Sequence, residues 1–539
     1  AAAGAAPLTA AGFFDGGDVY KVRFAPPEEG RWTYTTSSAA ASLHGQSGAV
    51  IVTPAPAGEH GPVRAHGVSF VHADGTPHFS VGTTSYAFPS QPLSRQRETL
   101  ETLRGAPFNK VRMALFPKWY FYNRANPVEA GTPHRIVDGS AAADAAVWGC
   151  VGEGCATTNT SFDLRRFNVS YWRNVDSLVN QLRGMRVNAD VILFHPYDGG
   201  HWGFDCMGGR VPSEYDTSHD QHYLRYAAAR LAAFSNVWWS LANEWSDVGC
   251  KGRDVDPTRD PPRAPSPSPV WDELFQTLSK ADPYDRPRSI HNGVLLYNHS
   301  QPWVSHVSLQ SAKRDGCEYA TCLEATTDQL RAAVGKPIVW DEVRYEGNLP
   351  CHETSGCVWG GLSGRQMADR FWWGTSRGVY VGHSEALLAN GTFDDAQPLW
   401  WAKGGQLLGE SPSRIGWLRD VWGAALVQAD TDFGALTPGT LTASASGTGD
   451  GAREAAILTG AGGCFVFVHA RQAGRWDVPL MAAHGASGAP MGTWQLARIN
   501  YWDMSWDNAT LPAGATSAAV ECSAPPCNFM LFHGKREPQ

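Results

Sequence analysis

The 539-residue sequence contains no run of about eighteen apolar residues, so no segment reads as a bilayer-spanning helix and no membrane partner is expected. Positive charge is scarce: 44 Lys and Arg against 52 Asp and Glu give a net charge of −8, which argues against nucleic acid, because phosphate recognition needs clustered cations. A G-x-S-x-G elbow is missing, since GHSEA at Gly382–Ala386 fails at its last glycine, and a serine hydrolase is disfavoured. No Gly-rich phosphate loop follows the first apolar strand, which disfavours an open nucleotide-binding sheet. The paired cysteines are spaced C-x4-C and C-x5-C with no C-x2-C partner, and HPYDGGH (His195, Asp198, His201) fits no common helical zinc spacing. Neither a metal nor a cofactor is therefore expected. Fixed-period repeats and long low-complexity tracts are also lacking.

Aromatics are plentiful, with 22 Trp, 22 Phe and 16 Tyr. Most will fill cores, but such rings also pack against the C–H faces of sugars. Eleven cysteines form close pairs at Cys150/Cys155, Cys317/Cys322, Cys351/Cys357 and Cys522/Cys527. Cys206 and Cys250 are placed to join successive loops, leaving Cys464 free. Loop staples of this kind belong to an oxidising compartment, and the N-x-[ST] sequons at Asn159, Asn168, Asn298, Asn390 and Asn508 agree with a secretory route. The opening AAAGAAPLTAAG has no basic and apolar signal segment, so a signal peptide is expected to have been removed or never included.

A chain of this length calls for two or three domains. Residues 1–60 read as β structure, with Val19–Phe24 and Arg31–Thr35 alternating in polarity and Ala49–Val52 as a third strand. This first domain reads as a partial β-sandwich. From 61 to 425 apolar strands alternate with helical stretches. The strands expected are Phe79–Thr84, Lys110–Phe116, Asp190–His195, Val237–Glu244, Arg288–Asn292, His306–Gln310, Ile338–Glu342 and Gly378–His383. Helical stripes fall between them, as in Val175, Leu178, Val179 and Leu182, and again in Leu224, Ala227, Ala228 and Leu231 or Trp271, Leu274, Phe275 and Leu278. Eight such units predict a (β/α)8 TIM barrel, an α/β fold with long decorated loops. From 426 to 539, short strands separated by Gly, Ser and Pro predict an antiparallel β-sandwich.

A TIM barrel carries its chemistry at the C-terminal ends of its strands. There the sequence delivers Arg112, His195 with Tyr197, Asn243 with Glu244, His291 with Asn292, Gln310, Glu342, and His383 with Glu385. Glu244 and Glu342 end the strongly apolar stretches VWWSLANE and PIVWDE on the fourth and seventh strands, across the barrel mouth from one another. Retaining glycoside hydrolysis needs such a pair, one acid and one nucleophile, about 5–5.5 Å apart.

These features resemble glycoside hydrolase clan A, the retaining TIM-barrel glycosidases. The segments HGVSFVHADGTPHFSVGTTSYAF, FNKVRMALFPKWY, VILFHPYD, NVWWSLANEW, RSIHN and KPIVWDEVRYEGN are similar to a less-studied, apiosidase-like branch of provisionally assigned glycoside hydrolases. RFWWGTSRGVYVGHSE and GGQLLGESPSRIGWLRD continue the likeness over nearly the whole chain. That branch has a β-sandwich before the barrel and another after it. The resemblance implies Glu244 as acid/base and Glu342 as nucleophile. Chemistry asks for a protonated Glu244, desolvated by Trp238, Trp239 and Trp245, and an ionised Glu342 beside Arg112. Asn243 is expected at the sugar 2-hydroxyl. His195, His291, Asn292, Gln310, His383 and Glu385 are candidates for hydroxyl recognition or for orienting the acids, and Trp119, Tyr197, Trp202, Trp372 and Trp401 for sugar platforms. The expected partner is a carbohydrate, a plant or algal poly- or oligosaccharide cleaved at β-linked, exo positions. Long loops at Pro117–Phe162 and Asp247–Ser268 walling off one end of a cleft support the exo reading. A non-catalytic sugar-binding protein and a transglycosylase using the same two acids are the alternatives. The sequence carries no signal of oligomeric state.

Overall fold

The computed structural model describes residues 7–117, 131–136, 162–195, 218–245, 268–293, 295–310, 319–348, 361–389, 399–442, 454–460, 465–480, 493–512 and 514–533. Its centre is an eight-stranded parallel sheet. The strands are β1 (Val81–Thr84), β2 (Lys110–Ala114), β3 (Asn188–Phe194), β4 (Val237–Ala242), β5 (Arg288–Ser289), β6 (Val307–Gln310), β7 (Ile338–Glu342) and β8 (Tyr380–His383). Neighbours pair in the order β5-β4-β3-β2-β1-β8-β7-β6, and a parallel bridge from His291 to Ser308 joins the two edges into a barrel. Every expected strand is present: β7 has the expected bounds, β3 begins two residues earlier and ends one earlier, and the others are one to three residues shorter.

Covered on both faces, these strands have no polar side to alternate with, and β3 and β4 are buried at every position. The helices α1 (Leu93–Gly105), α2 (Val169–Gly184), α3 (Ser218–Leu231), α4 (Ser268–Ala281), α5 (Tyr319–Val334), α6 (Gly364–Ser376) and α7 (Ser411–Gln428) surround them. In α2 the apolar stripe of Val175, Leu178, Val179 and Leu182 is buried, and Asn168 caps the helix by accepting from the Tyr171 amide. Gly374 in α6 allows close approach to the wall: a Cβ there would stand 2.4 Å from Val381 and 3.0 Å from Trp340. One unit departs from the expected alternation. Between β5 and β6 the described residues form a loop, since the short stretch there includes Pro302 and leaves too little room for a stable helix.

The barrel floor is closed by a hairpin of Val63–His66 and Ser69–His72, from which Phe70 packs on Trp238, His306 and Tyr380. Above it lies an ionic layer. Lys110, wholly buried, donates to Asp190 at 3.0 Å and to Asp341 at 2.5 Å. The N-terminal region comprises two hairpins, Gly12–Phe14 with Tyr20–Val22 and Gly30–Thr35 with Ser47–Val52. It is tied to the barrel by Phe13 against Tyr226 and by buried Asp15, which accepts from Arg230 at 2.8 Å.

The C-terminal region has a six-stranded antiparallel sheet and a separate two-stranded one (Gly474–Pro479 with Ser517–Cys522). Trp476, Val478 and Val520 of the smaller sheet share a core with Ile457, Val468, Leu496 and Leu531 of the larger, giving the expected two layers. Cys522 and Cys527 are joined by a disulfide. Each of the other expected pairings includes a cysteine outside the described residues. Among the sequons, Asn298 and Asn508 are exposed, whereas Asn168 is 4% exposed and occupied in capping α2. Asn159 and Asn390 lie outside the described residues. Among the described residues no helix is long and apolar enough to cross a membrane.

Candidate active site

The strand ends converge on Glu342, the last residue of β7. Its Oε2 accepts from the Tyr86 hydroxyl at 3.0 Å, and its Oε1 from the hydroxyl of Tyr345, three residues further on. His291 Nε2 lies 3.5 Å from Oε2, and Arg112 NH1 4.0 Å away. Burial alone would raise this carboxyl. The adjacent His291 ring, the Arg112 charge and the Tyr345 donor outweigh it and hold Glu342 down to about 2. The effect on the donors is reciprocal: burial first, then the Glu342 charge, pushes both Tyr86 and Tyr345 well above the ordinary phenol range.

Asn243 and Glu244 follow directly after β4. Asn243 continues the ladder through its amide to the Phe194 carbonyl, and its Oδ1 accepts from Arg112 NH2 at 2.7 Å. The Tyr86 hydroxyl also reaches this oxygen at 3.3 Å, which links Asn243 to the Glu342 cluster. Glu244 then turns into the left-handed region, at φ 49°. A residue with a Cβ is strained there, and such strain concentrates at functional sites. The half-buried Glu244 carboxylate accepts from Gln310 Nε2 at 2.6 Å. Gln310 is in turn clamped by Asn292, which accepts from its amide at 2.8 Å and donates to its carbonyl at 3.3 Å.

Arg112, Asn243, His291 and Glu342 thus form one cluster, and Glu244, Gln310 and Asn292 a second, adjoining it in the chain at Asn243–Glu244 and His291–Asn292. His195 is placed at the end of β3, its Nε2 3.3 Å from the Phe116 carbonyl. Trp119, Tyr197 and Trp202 lie outside the described residues. His383 and Glu385 were expected at the sugar, but both are wholly enclosed. His383 stacks on Phe108 with its Nδ1 3.2 Å from Thr83, and burial pushes it down to about 3. Glu385 accepts from the amides of Leu408 and Gly409, so it holds the segment leading into α7. Glu346 does the same for Glu410 and Ser411. Ligand atoms of Glu346, His383 and Glu385 lie within 4.8 Å of one another, yet both carboxylates are already bonded by main-chain N–H groups.

The tryptophans also need correcting. Trp238 points into the barrel floor against Phe70, and Trp239 points outward to bond Asp282 at 3.0 Å. Six residues of extended strand, about 20 Å, separate Trp238 from Glu244, so only Trp245 of the expected trio adjoins it in the chain. Trp372 is core, packed on Phe467 and Tyr501. Trp401 is 3% exposed and backs Tyr345 at 4.5 Å. Residue-level reasoning overlooked Tyr86 and Tyr345. The signal available was their position just beyond β1 and β7, where polar side chains face the mouth.

A family model described as "Apiosidase-like, catalytic domain" matches residues 65–384, and one for a domain of unknown function matches residues 2–39. Among solved structures, a protein from Bacteroides vulgatus ATCC 8482, provisionally described as a glycoside hydrolase, is similar at 29% identity and a TM-score of 0.75, with 98% of this chain and 93% of that one covered. A glycoside hydrolase family 5 structure from the same organism is similar at 15% identity and a TM-score of 0.58, with 88% and 94% covered. Another glycoside hydrolase gives 13% and 0.59, with 88% and 97% covered. These last two speak for the fold alone. No curated protein matches the chain. With the family match spanning more than half of the sequence, on a barrel shared with glycoside hydrolases, the chain belongs to the apiosidase-like family.

Proposed function

We propose that the chain is a retaining glycoside hydrolase working by double displacement, with Glu342 as nucleophile and Glu244 as acid/base. The observation that carries this reading is the setting of Glu342: a carboxylate at the barrel mouth, held ionised by Tyr86, Tyr345, His291 and Arg112. In the first step Glu342 attacks the anomeric carbon while Glu244 gives its proton to the departing oxygen. In the second, Glu244 takes a proton from water, which attacks the same carbon and releases Glu342. Gln310 orients Glu244, and Asn243, fixed by Arg112, faces the sugar 2-hydroxyl.

The proposed substrate is a plant or algal poly- or oligosaccharide with β-linked residues, cut in exo fashion. The long connections after β2 and β4, suited to closing one end of a cleft, support the exo reading. The proposed location is outside the cytosol, supported by the Cys522–Cys527 disulfide and the exposed sequons at Asn298 and Asn508.

The test is Glu342→Ala on a panel of aryl glycosides and oligosaccharides. Turnover should drop by about 10³-fold or more, and added azide should restore glycosyl transfer with inverted anomeric configuration. Wild-type turnover in the variant would remove the mechanism.

A further inference from the structure

Behind the nucleophile runs a chain of four buried side chains. Asp341 Oδ2 accepts from the Ser308 hydroxyl at 2.6 Å. The same hydroxyl oxygen lies 2.8 Å from Nδ1 of His291, whose Nε2 lies 3.5 Å from Oε2 of Glu342. Asp341, Ser308 and His291 are at most 1% exposed.

Counting protons fixes the direction of these bonds. A hydroxyl has one hydrogen to donate. Asp341 lies against Lys110, which with the Arg112 charge holds it well below the usual carboxylate range, so it can only accept. Ser308 therefore donates to Asp341 and can only accept from His291, which puts a hydrogen on Nδ1. In a neutral imidazole the other nitrogen would then be a bare lone pair. That lone pair would face an ionised carboxylate in a site shielded from water, where the repulsion is poorly screened.

We infer that Ser308 and Asp341 are positioning residues which fix the Nδ1 proton of His291, so that its Nε2 carries a second proton and a buried imidazolium faces Glu342.

Charges on the surrounding elements agree. Lys110 and Arg112 from β2, with the imidazolium from the end of β5, meet Asp190 from β3 and Asp341 and Glu342 from β7. Three positive and three negative groups balance when Glu244 holds its proton. Tyr86 and Tyr345 remain neutral donors, and His299 is neutral, pushed down to about 3 by burial. Taken alone, the His291 ring is driven towards neutrality by burial and Arg112, while Glu342 and Asp341 oppose this. Glu342, conversely, owes its low position first to His291. Given Glu342 as nucleophile, esterification would strip the imidazolium of its counter-charge, and the chain would favour release of the covalent intermediate.

The test is the ¹⁵N spectrum of His291 in the full-length protein labelled at histidine, assigned with His291→Gln. Both ring nitrogens should be protonated at pH 7 and 8 in wild type and in Ser308→Thr. In Ser308→Ala, with no acceptor at Nδ1, the ring should become the neutral Nε2–H tautomer, and deglycosylation should slow relative to glycosylation. A neutral His291 ring in wild type at pH 7 overturns the inference, as does an identical ring state in wild type and Ser308→Ala. If Ser308→Ala does not fold, the wild-type spectrum alone decides. A neutral ring combined with an inactive Glu342→Ala would overturn this inference and leave the catalytic reading standing.

Discussion

Gln310 Nε2 stands 2.6 Å from Oε1 of Glu244, so the last residue of β6 fixes the carboxylate that follows β4, across the width of β5. Asn292, from that intervening position, fixes Gln310 in turn. Without the amide, Glu244 keeps its strained backbone but loses the contact that selects its side-chain direction. Gln310→Ala should therefore lower kcat on the order of 10- to 100-fold, with a much smaller change in KM, because misplacement of about 1 Å carries that scale of loss. Steady-state kinetics on whichever glycoside the enzyme accepts will check it. A change confined to KM would mean that Gln310 contacts sugar instead.

Tyr345 donates to the other end of the pair, at Glu342. The Glu342 carboxyl is depressed to about 2, so its ionised form is present above the unfolded value and is lost only as pH falls through about 2. An acid limb of kcat/KM near pH 4 to 5 in the wild type would thus belong to another group. In Tyr345→Phe one donor is gone and the Glu342 limb should move up, by roughly one pH unit for a lost bond of about 1.4 kcal/mol. Because that limb lies below the other, it is read from the Glu342 carboxyl ¹³C shift on acidification; an equal midpoint in the two proteins would count against the donor role.

Glu385 gives the opposite sign. Burial lifts it from 4.5 to about 7, against the pull of the Leu408 and Gly409 amides. Between those two values the folded state holds a proton that the unfolded chain has released, so stability should decline as pH rises from about 4.5 to 7. The shift corresponds to about 3 kcal/mol. Glu385→Gln keeps an acceptor for the amides and removes the ionisation, so its Tm should vary less over that range. Thermal melts at half-unit steps will show it; equal slopes for the two proteins would refute it.

How much of this was legible follows from where the information resides. Strands such as Val237–Ala242 are apolar at all but Ser240 because both faces are covered, and that pattern is local. Glu244 and Glu342 stand out because a carboxylate ending such a run has few structural reasons to be there. Lys110 gave no such warning. Its partners Asp190 and Asp341 are 80 and 231 residues away, and only closure of the barrel brings them together. His383 and Glu385 misled for a related reason. They stand at and just beyond the end of β8, but Phe108 and Thr83 enclose the histidine and the segment before α7 covers the glutamate with main-chain amides, and no local spacing announces that cover. Tyr86 and Tyr345 needed the converse knowledge, namely which hydroxyl reaches which oxygen.

The core under α6 does not stop where the barrel does. Trp373 packs on Trp340 of β7 at 5.0 Å, while its neighbour Trp372 packs on Phe467 of the C-terminal sheet at 5.9 Å. Trp422 of α7 meets that same Phe467 at 4.9 Å. Mechanically, the sandwich is a buttress: one helix joins it to the strand that ends in Glu342. A boundary near residue 426 is therefore a line in the chain and not in the material. Cutting there would bare Trp372 and Trp422 and slacken the wall behind the nucleophile. Barrel and sandwich should melt together in urea, with a single midpoint for tryptophan fluorescence and activity, and two separated midpoints would show that the buttress carries no load.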